Sequence, residues 1–249
     1  MNSSEIKNFL KDRKIGQIIE LIKCDPTVGP SVLAAVLMLA EEAKEKYAEK
    51  GIPDKIYNDT MADISVWAEN YYRKTGYCGI EEIGWIMNHL NLELFAIGRL
   101  QFRPSDFHYN DSWTELADSS LKIGDKIMEI HISQGTPLTE EVCSRSFSAA
   151  PEFFKKYFDY DFDYYTCHSW LLSPRLKEIL PESSNIIKFQ KRFTIIASDS
   201  NDGQAEERIF DRQFGANTNS SLAKKALELN RKGIQIGAGI GIIRKEDIK

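Results

Sequence analysis

The chain lacks the long apolar segments that membrane insertion requires. No apolar run in its 249 residues approaches the roughly 20 residues of a membrane-spanning helix. The segment from Val32 to Ala40 is apolar, but Glu41 and Glu42 follow it directly. Residues 1–7 contain no apolar core of a signal peptide. We therefore expect a cytoplasmic protein with no membrane partner.

Cysteine and histidine are both scarce. The four cysteines are scattered and form no CxxC pair, which is typical of reduced thiols rather than of a disulfide framework or a zinc site. They are Cys24, Cys78, Cys143 and Cys167. We therefore predict that the protein binds no metal.

The chain also has no excess of positive charge. The net charge is −5 and the sequence pI is near 5.5, whereas nonspecific nucleic-acid binding needs a basic surface that displaces counterions. We therefore expect no nucleic-acid partner. Apolar residues make up 42% and charged residues 28%, an ordinary composition for a globular protein with a full core.

Residues 1–78 have the pattern of a small helical bundle. Isoleucines recur at helical spacing between Ile15 and Ile22, and two further helical segments follow. The tracts 25–30 and 51–53 contain proline and glycine, which break the pattern into short helices. Short breaks between amphipathic helices predict a separate N-terminal helical domain.

Residues 79–249 change to alternating strands and helices. Strand-like runs lie at 93–102, 126–133, 163–170, 192–197 and 234–243. A helix is expected to start at Thr136-Pro137 and to run toward Phe158, and Pro151 is a candidate for interrupting it. The alternation predicts an α/β (α+β) domain with a mixed β-sheet flanked by helices.

The strand-like run 126–133 carries the first candidate catalytic pair. Glu129 and His131 are two residues apart, so they share one face of the strand. A carboxylate beside an imidazole orients the ring and favours its cation, an arrangement typical of a general base. The alternative is the solvent-exposed polar side of a half-buried strand.

The run 163–170 carries the second candidate group. His168 and Trp170 share one strand face, on which the histidine could act as an acid or base and the tryptophan could pack against a substrate. A histidine bonded to backbone in the core is the alternative. Ser169 lacks the surrounding glycines of a nucleophile elbow, and Cys167 is more typical of a buried small side chain than of a thiolate nucleophile.

Two glycine-containing segments are candidate phosphate sites. The turn 134–139 joins a strand to a helix whose N-terminus could hold a phosphate, but Glu140 and Glu141 oppose that use. No helix follows the segment 237–241, so we interpret it as a closely packed strand. The polar residues that we consider for a substrate pocket are Arg99, Gln101, Asn185 and Gln190.

Several short segments occur together in an order that resembles a known bacterial family. They are Glu82-Ile-Gly-Trp85, His89, Gly98-Arg-Leu-Gln-Phe102, Glu129-Ile-His-Ile132, Cys167-His-Ser-Trp-Leu-Leu172, Ser184-Asn185 and Phe189-Gln-Lys-Arg-Phe193. They resemble acyltransferases that have an N-terminal helical domain and a GNAT-like C-terminal domain. The resemblance covers about residues 57–243.

The resemblance implies an enzyme that transfers an acyl group from acyl-CoA to the amine of a small-molecule acceptor. His131, supported by Glu129, would deprotonate the amine. His168 would be a second acid–base candidate, and Trp170 would line the pocket. The resemblance assigns no particular acceptor.

The same resemblance implies a place for the cofactor. The backbone near Ile130 would pair with the pantetheine arm, and the turn residues Gln134, Gly135 and Thr136 would approach the phosphates. GNAT enzymes carry a Gln/Arg-x-x-Gly-x-Gly/Ala loop at this place, and the segment 134–139 does not match it.

That departure keeps two other functions open. The first is a non-catalytic module that binds a small ligand on a GNAT-like fold. The second is a hydrolase that cleaves an amide or ester through His131 or Cys167.

Overall fold

The structure is a computed structural model that describes residues 1–210 and 221–248. Two compact units divide the chain, and the division lies between Ile97 and Gly98. In the described residues no helix is both long enough and apolar enough to cross a membrane. The cytoplasmic location stays a prediction.

The first unit is built from helices. Its elements are α1 (Ser3–Lys11), α2 (Ile15–Cys24), a 3-10 helix (Pro26–Val28), α3 (Gly29–Glu49), α4 (Asp54–Thr75), α5 (Ile83–Leu90) and the short strand β1 (Phe95–Ile97). Gly76 ends α4 with a φ of 76°, a conformation that glycine adopts without strain. These elements confirm the predicted helical N-terminal region.

The helical unit extends beyond residue 78, where the sequence had suggested a boundary. The Tyr47 hydroxyl on α3 donates a hydrogen bond of 3.2 Å to the carbonyl of His89 on α5. The Ala96 N–H of β1 donates to Oγ1 of Thr60 on α4, at 3.0 Å. These contacts join α5 and β1 to the helices before them, so the unit ends at Ile97.

The second unit contains a mixed sheet with helices. Its elements are β2 (Leu100–Asp106), β3 (Thr114–Glu115), β4 (Lys126–His131), α6 (Glu140–Phe158), β5 (Tyr164–Ser169), a 3-10 helix (Trp170–Leu172), α7 (Leu176–Ile179), α8 (Asn185–Gln190), β6 (Thr194–Asp199), α9 (Gln204–Phe210), α10 (Ser221–Arg231) and β7 (Ala238–Arg244). The strand order is β2-β4-β5-β7-β6-β3. Strands β4 and β5 are parallel, and the other pairs in this order are antiparallel. The predicted α/β class is confirmed.

Two predicted elements differ from the observed ones. The run 93–102 is two strands, because Gly98 turns the chain with a φ of 68° and approaches α6 so closely that a Cβ would lie 2.7 Å from Oγ of Ser146. The helix after β4 begins at Glu140, with Thr139 as its N-cap, and not at Thr136-Pro137. The short helix α8 was not predicted.

Pro151 lies inside α6 without ending it. Proline has no N–H, so it cannot donate to the carbonyl of Phe147 four residues earlier. The Tyr165 hydroxyl on β5 donates to that carbonyl instead, at 2.7 Å. The side-chain hydrogen bond replaces the missing helical one, so the predicted interruption does not occur.

The two faces of the sheet have different coverings. On one face, the rings of Phe102 and Tyr165 from the sheet pack with the ring of Phe147 from α6, with centroids 5.1–6.3 Å apart. On the other face, Ile127 and Ile240 pack with residues of the segment 107–125, which we call the β2–β4 connection. The second face also carries the candidate acid–base groups.

Candidate active site

A gap between the parallel strands β4 and β5 organises the site. The two strands pair from Ile127↔Tyr164 to Glu129↔Thr166 and not beyond. Strand β4 continues its pairing with β2 as far as His131, and β5 continues with β7 as far as Ser169. The facing edges are therefore unpaired after Glu129, while each strand stays paired on its outer side, and we call this unpaired stretch the gap.

Glu129 and His131 meet beside this gap, as predicted. Nε2 of His131 lies 3.3 Å from Oε2 of Glu129. Both side chains are partly buried. The strand alternation places them on the same sheet face, while the buried Ile130 points to the other.

Arg103 completes this cluster, although the sequence did not predict it as a site residue. The residue lies directly opposite Glu129 in the antiparallel pairing of β2 with β4, and its Nε donates to Oε2 of Glu129 at 2.8 Å. Burial alone raises the pKa of Glu129, but the hydrogen bond from His131 and the charge of Arg103 outweigh it and lower the pKa to about 2. Glu129 is therefore a carboxylate at any physiological pH.

His168 forms a second pair with a carboxylate. Its Nε2 lies 3.2 Å from Oδ2 of Asp202, which follows β6 in the loop before α9. The ring of Trp113 from the β2–β4 connection meets the His168 ring edge to face, with centroids 5.6 Å apart. The sequence could have indicated Asp202 only through the polar turn 199–203 at the end of a strand. That Asp202 lies near β5 depends on the strand order of the sheet.

The parity of the paired strands places His168 on the same sheet face as His131. Glu129 is paired with Thr166 in the parallel ladder, and paired residues lie on one face. His131 and His168 each follow two residues later on their strands. The two histidines therefore flank the gap from opposite sides.

Cys167 and Ser169 lie on the face beneath α6 and are buried. Burial, together with the charge of Glu129, raises the pKa of Cys167 to about 12, so the thiol stays protonated. The Ser169 hydroxyl accepts the N–H of Leu171 at 3.2 Å and thereby caps the following 3-10 helix. Neither side chain has the environment of a nucleophile.

The turn after β4 is exposed from Gln134 to Pro137. Nε of Arg99 donates to the carbonyl of Thr136 at 2.6 Å. Arg192 binds the start of α6, where its Nη2 donates to the carbonyl of Glu140 at 2.8 Å. Two guanidinium groups thus stand near the turn and partly offset the acidic first turn of α6, which also contains Glu141.

The other predicted pocket residues are dispersed. Gln101 is buried on β2, directly opposite His131 in the register. Gln190 is buried, and its Nε2 donates to the carbonyl of Ser173 at 2.8 Å. Asn185 is exposed at the start of α8.

Trp170 does not follow the strand alternation that the sequence had suggested. It begins the 3-10 helix after β5, and its ring packs against the apolar cluster of α7, α9 and α10. The structure therefore brings together Glu129, His131 and Arg103, and separately His168 and Asp202, while Trp170 packs in the apolar cluster.

The glycine-rich strand β7 is a packing element, as predicted. A Cβ on Gly239 would lie 2.2 Å from the carbonyl oxygen of Leu172, and one on Gly241 would lie 2.8 Å from Phe193. Only glycine allows this close approach. Among the described residues, no group of three or more His, Cys, Asp or Glu side chains could hold a metal ion.

Two family comparisons cover most of the chain. Residues 9–92 match the N-acyltransferase N-terminal domain, and residues 94–243 match the GNAT-like C-terminal domain. No curated protein matches this chain in sequence.

Solved structures with the same fold carry ligands. One similar structure is an acyltransferase in complex with decanoyl-CoA and teicoplanin, at 23% identity and a TM-score of 0.74, covering 90% of this chain and 68% of the other. Another, an acyltransferase in complex with CoA and 10C-teicoplanin, has 23% identity, the same coverage of 90% and 68%, and a TM-score of 0.75. A mutant acyltransferase in complex with octanoyl-CoA also has 23% identity, a TM-score of 0.74 and that coverage of 90% and 68%.

Proposed function

Because this chain belongs to the family that joins an N-acyltransferase N-terminal domain to a GNAT-like C-terminal domain, we propose that it transfers an acyl group from acyl-CoA to the amine of a small acceptor. The observation that carries this proposal is the gap between β4 and β5. A sheet opened between two parallel strands offers backbone edges to a ligand with its own amide groups. The pantetheine arm of CoA is such a ligand.

The cofactor would enter along β4. The backbone near Ile130 would pair with pantetheine, and the exposed residues Gln134, Gly135 and Thr136 would approach the phosphates. Arg99 binds the backbone of this turn and adds positive charge near it. The acidic first turn of α6 opposes phosphate binding, so we expect weaker CoA affinity than a glycine-rich loop would give.

The transfer chemistry would take place on the histidine-bearing face of the gap. The acceptor nitrogen attacks the thioester carbonyl, and His131 takes the proton that the amine loses. The carboxylate of Glu129 orients the ring and stabilises the imidazolium that forms. Arg103 holds that carboxylate in place through the hydrogen bond from its Nε.

Two other functions have less support. A hydrolase that uses Cys167 as its nucleophile is disfavoured, because that thiol is buried and stays protonated. A non-catalytic binding module is compatible with the altered phosphate turn, but it leaves the two histidine–carboxylate pairs without a role.

Binding and transfer can be tested in one series. We expect CoA, octanoyl-CoA and decanoyl-CoA to bind in calorimetry, and we expect CoA thiol to be released when a panel of primary amines that includes teicoplanin is added. Mass spectrometry should find the acceptor heavier by the acyl group. Binding without transfer to any amine would favour the binding module. Thiol release that yields free acid and no amide would favour the hydrolase.

A further inference from the structure

The transfer steps given under the proposed function use His131 and Glu129 but not the pair formed by His168 and Asp202. The His168 side chain is 36% exposed, and the Asp202 side chain is only 13% exposed. The ring of Trp113 fixes one side of the imidazole. The result is an oriented, accessible histidine on the strand that faces His131 across the gap.

We propose that His168 is the second acid–base group of the transfer reaction and that Asp202 is its positioning residue. This inference rests on the proposed function. It assigns a separate step to each histidine, with His131 serving the acceptor amine and His168 serving the leaving thiol.

Hydrogen bonds from Gln204 fix the orientation of the Asp202 carboxylate. Its Oδ1 accepts the backbone N–H of Gln204 at 2.8 Å, and its Oδ2 accepts Nε2 of the same residue at 3.1 Å. Burial raises the pKa of Asp202, but the hydrogen bonds from His168 and Gln204 outweigh that effect and lower it. An ionised, immobilised carboxylate keeps the proton on Nε2 of His168, so Nδ1 is the nitrogen that can face the reaction.

The two histidines balance the protons of the reaction. The acceptor nitrogen forms a bond to the thioester carbonyl carbon and gives its proton to His131. The carbon–sulfur bond breaks, and the departing sulfur takes the Nδ1 proton of the cationic His168 ring. The products are an amide and the free thiol of CoA. Solvent then removes the proton from His131 and returns one to His168.

A structural alternative is that Asp202 only secures the start of α9. Asp202→Asn separates the two roles, because the asparagine oxygen still accepts the Gln204 N–H but its neutral amide does not hold the imidazole in one state. Asp199→Asn is the matched control. Asp199 also accepts a backbone hydrogen bond, from Asn201 at 3.0 Å, but its other oxygen contacts Ser112 and not a histidine.

The deciding experiment combines nitrogen NMR of the full chain with single-turnover kinetics. In the wild type, ¹⁵N shifts should place the proton of the neutral His168 ring on Nε2, and Asp202→Asn should give a mixture of tautomers. With decanoyl-CoA and the amine panel, Asp202→Asn and His168→Gln should each slow transfer by about 10²-fold, at the low end of acid–base catalysis. The KM for decanoyl-CoA should change by less than about twofold, since the substitutions leave binding groups intact. Asp199→Asn should match the wild type.

The outcomes separate this inference from the proposed function. If the wild type neither binds decanoyl-CoA nor acylates any amine, the proposed function fails, and the role of His168 in transfer fails with it, whatever the tautomer. If the wild type is active and Asp202→Asn keeps its rate and its His168 tautomer, Asp202 is only a helix cap. If Asp202→Asn changes the tautomer but His168→Gln keeps the wild-type rate, His168 is not an acid–base group.

Discussion

The helical unit and the sheet unit each contain a histidine beside a carboxylate, yet the two environments differ. In the helical unit, Nε2 of His89 lies 3.2 Å from Oδ2 of Asp63, with side-chain exposures of 0% and 5%. Trp85 donates its indole N–H to the same carboxylate oxygen at 2.8 Å. No substrate can reach this buried pair, so its contribution is to the stability of the helices.

The pairs of the sheet unit have similar distances but lie beside an open gap. Glu129 with His131, and Asp202 with His168, are partly exposed and share one sheet face. The distance between an imidazole and a carboxylate therefore does not by itself identify an active site. Access and a neighbouring place for a ligand distinguish the two cases.

The largest expected effect is on catalysis by the sheet unit. His131→Ala removes the proposed base and should slow acyl transfer by about 10²–10⁴-fold, the usual scale of general acid–base catalysis, with acyl-CoA affinity nearly unchanged. Single-turnover rates and calorimetry measure the two quantities. His108→Ala is the control, because His108 is exposed in the β2–β4 connection. A His131 variant that transfers at the wild-type rate would remove the proposed base.

Substitution in the buried pair of His89 and Asp63 should lower stability and leave acyl transfer nearly unchanged. His89→Ala leaves Asp63 buried with one partner fewer, which typically costs about 3–5 kcal/mol of unfolding free energy. Urea unfolding should show this loss, while kcat per folded molecule stays within about twofold of the wild type because both side chains are buried and no proposed step of the transfer uses them. A variant of normal stability and reduced kcat would contradict the structural role of this pair.

The dependence of stability on acid pH tests the ionisation of Glu129. Because its folded-state pKa of about 2 lies below its ordinary value of 4.5, the ionised side chain stabilises the fold above about pH 4.5. That stabilisation, on the order of 3 kcal/mol, is lost as the pH falls from about 4.5 to 2. Glu129→Gln should therefore flatten the acid side of the stability profile measured by urea unfolding between these pH values. An unchanged slope would mean that Glu129 is not held as a carboxylate.

The sequence could predict those site residues that lie together on one strand. It could not predict the partners that other strands and loops bring to them. Glu129 and His131 were found because strand alternation is local, and the helical and α/β regions because periodicity is local. Arg103 and Asp202 were missed because the register of β2 with β4, and the position of β6 in the sheet, depend on long-range pairing. The predicted helix start at Thr136-Pro137 was wrong because a second threonine, Thr139, lies three residues later and occupies the N-cap position.

The smallest expected effect concerns the opposite sheet face. Cys167→Ala should leave acyl transfer within about twofold of the wild type, because a thiol with a pKa of about 12 is protonated and does not serve as a nucleophile. Iodoacetamide should likewise leave Cys167 unmodified in the folded wild-type enzyme. Mass spectrometry of the peptide that contains Cys167 measures this. Loss of activity in Cys167→Ala with normal stability would revive the hydrolase.

The claim that the β4–β5 gap receives the cofactor is tested most directly by backbone amide NMR during a titration with CoA. We expect saturable shifts at Ile130 and His131 on β4 and at Cys167–Ser169 on β5, with the amides of β6 as internal controls. Shifts confined to other parts of the sheet unit, or no shifts at millimolar CoA, would contradict it.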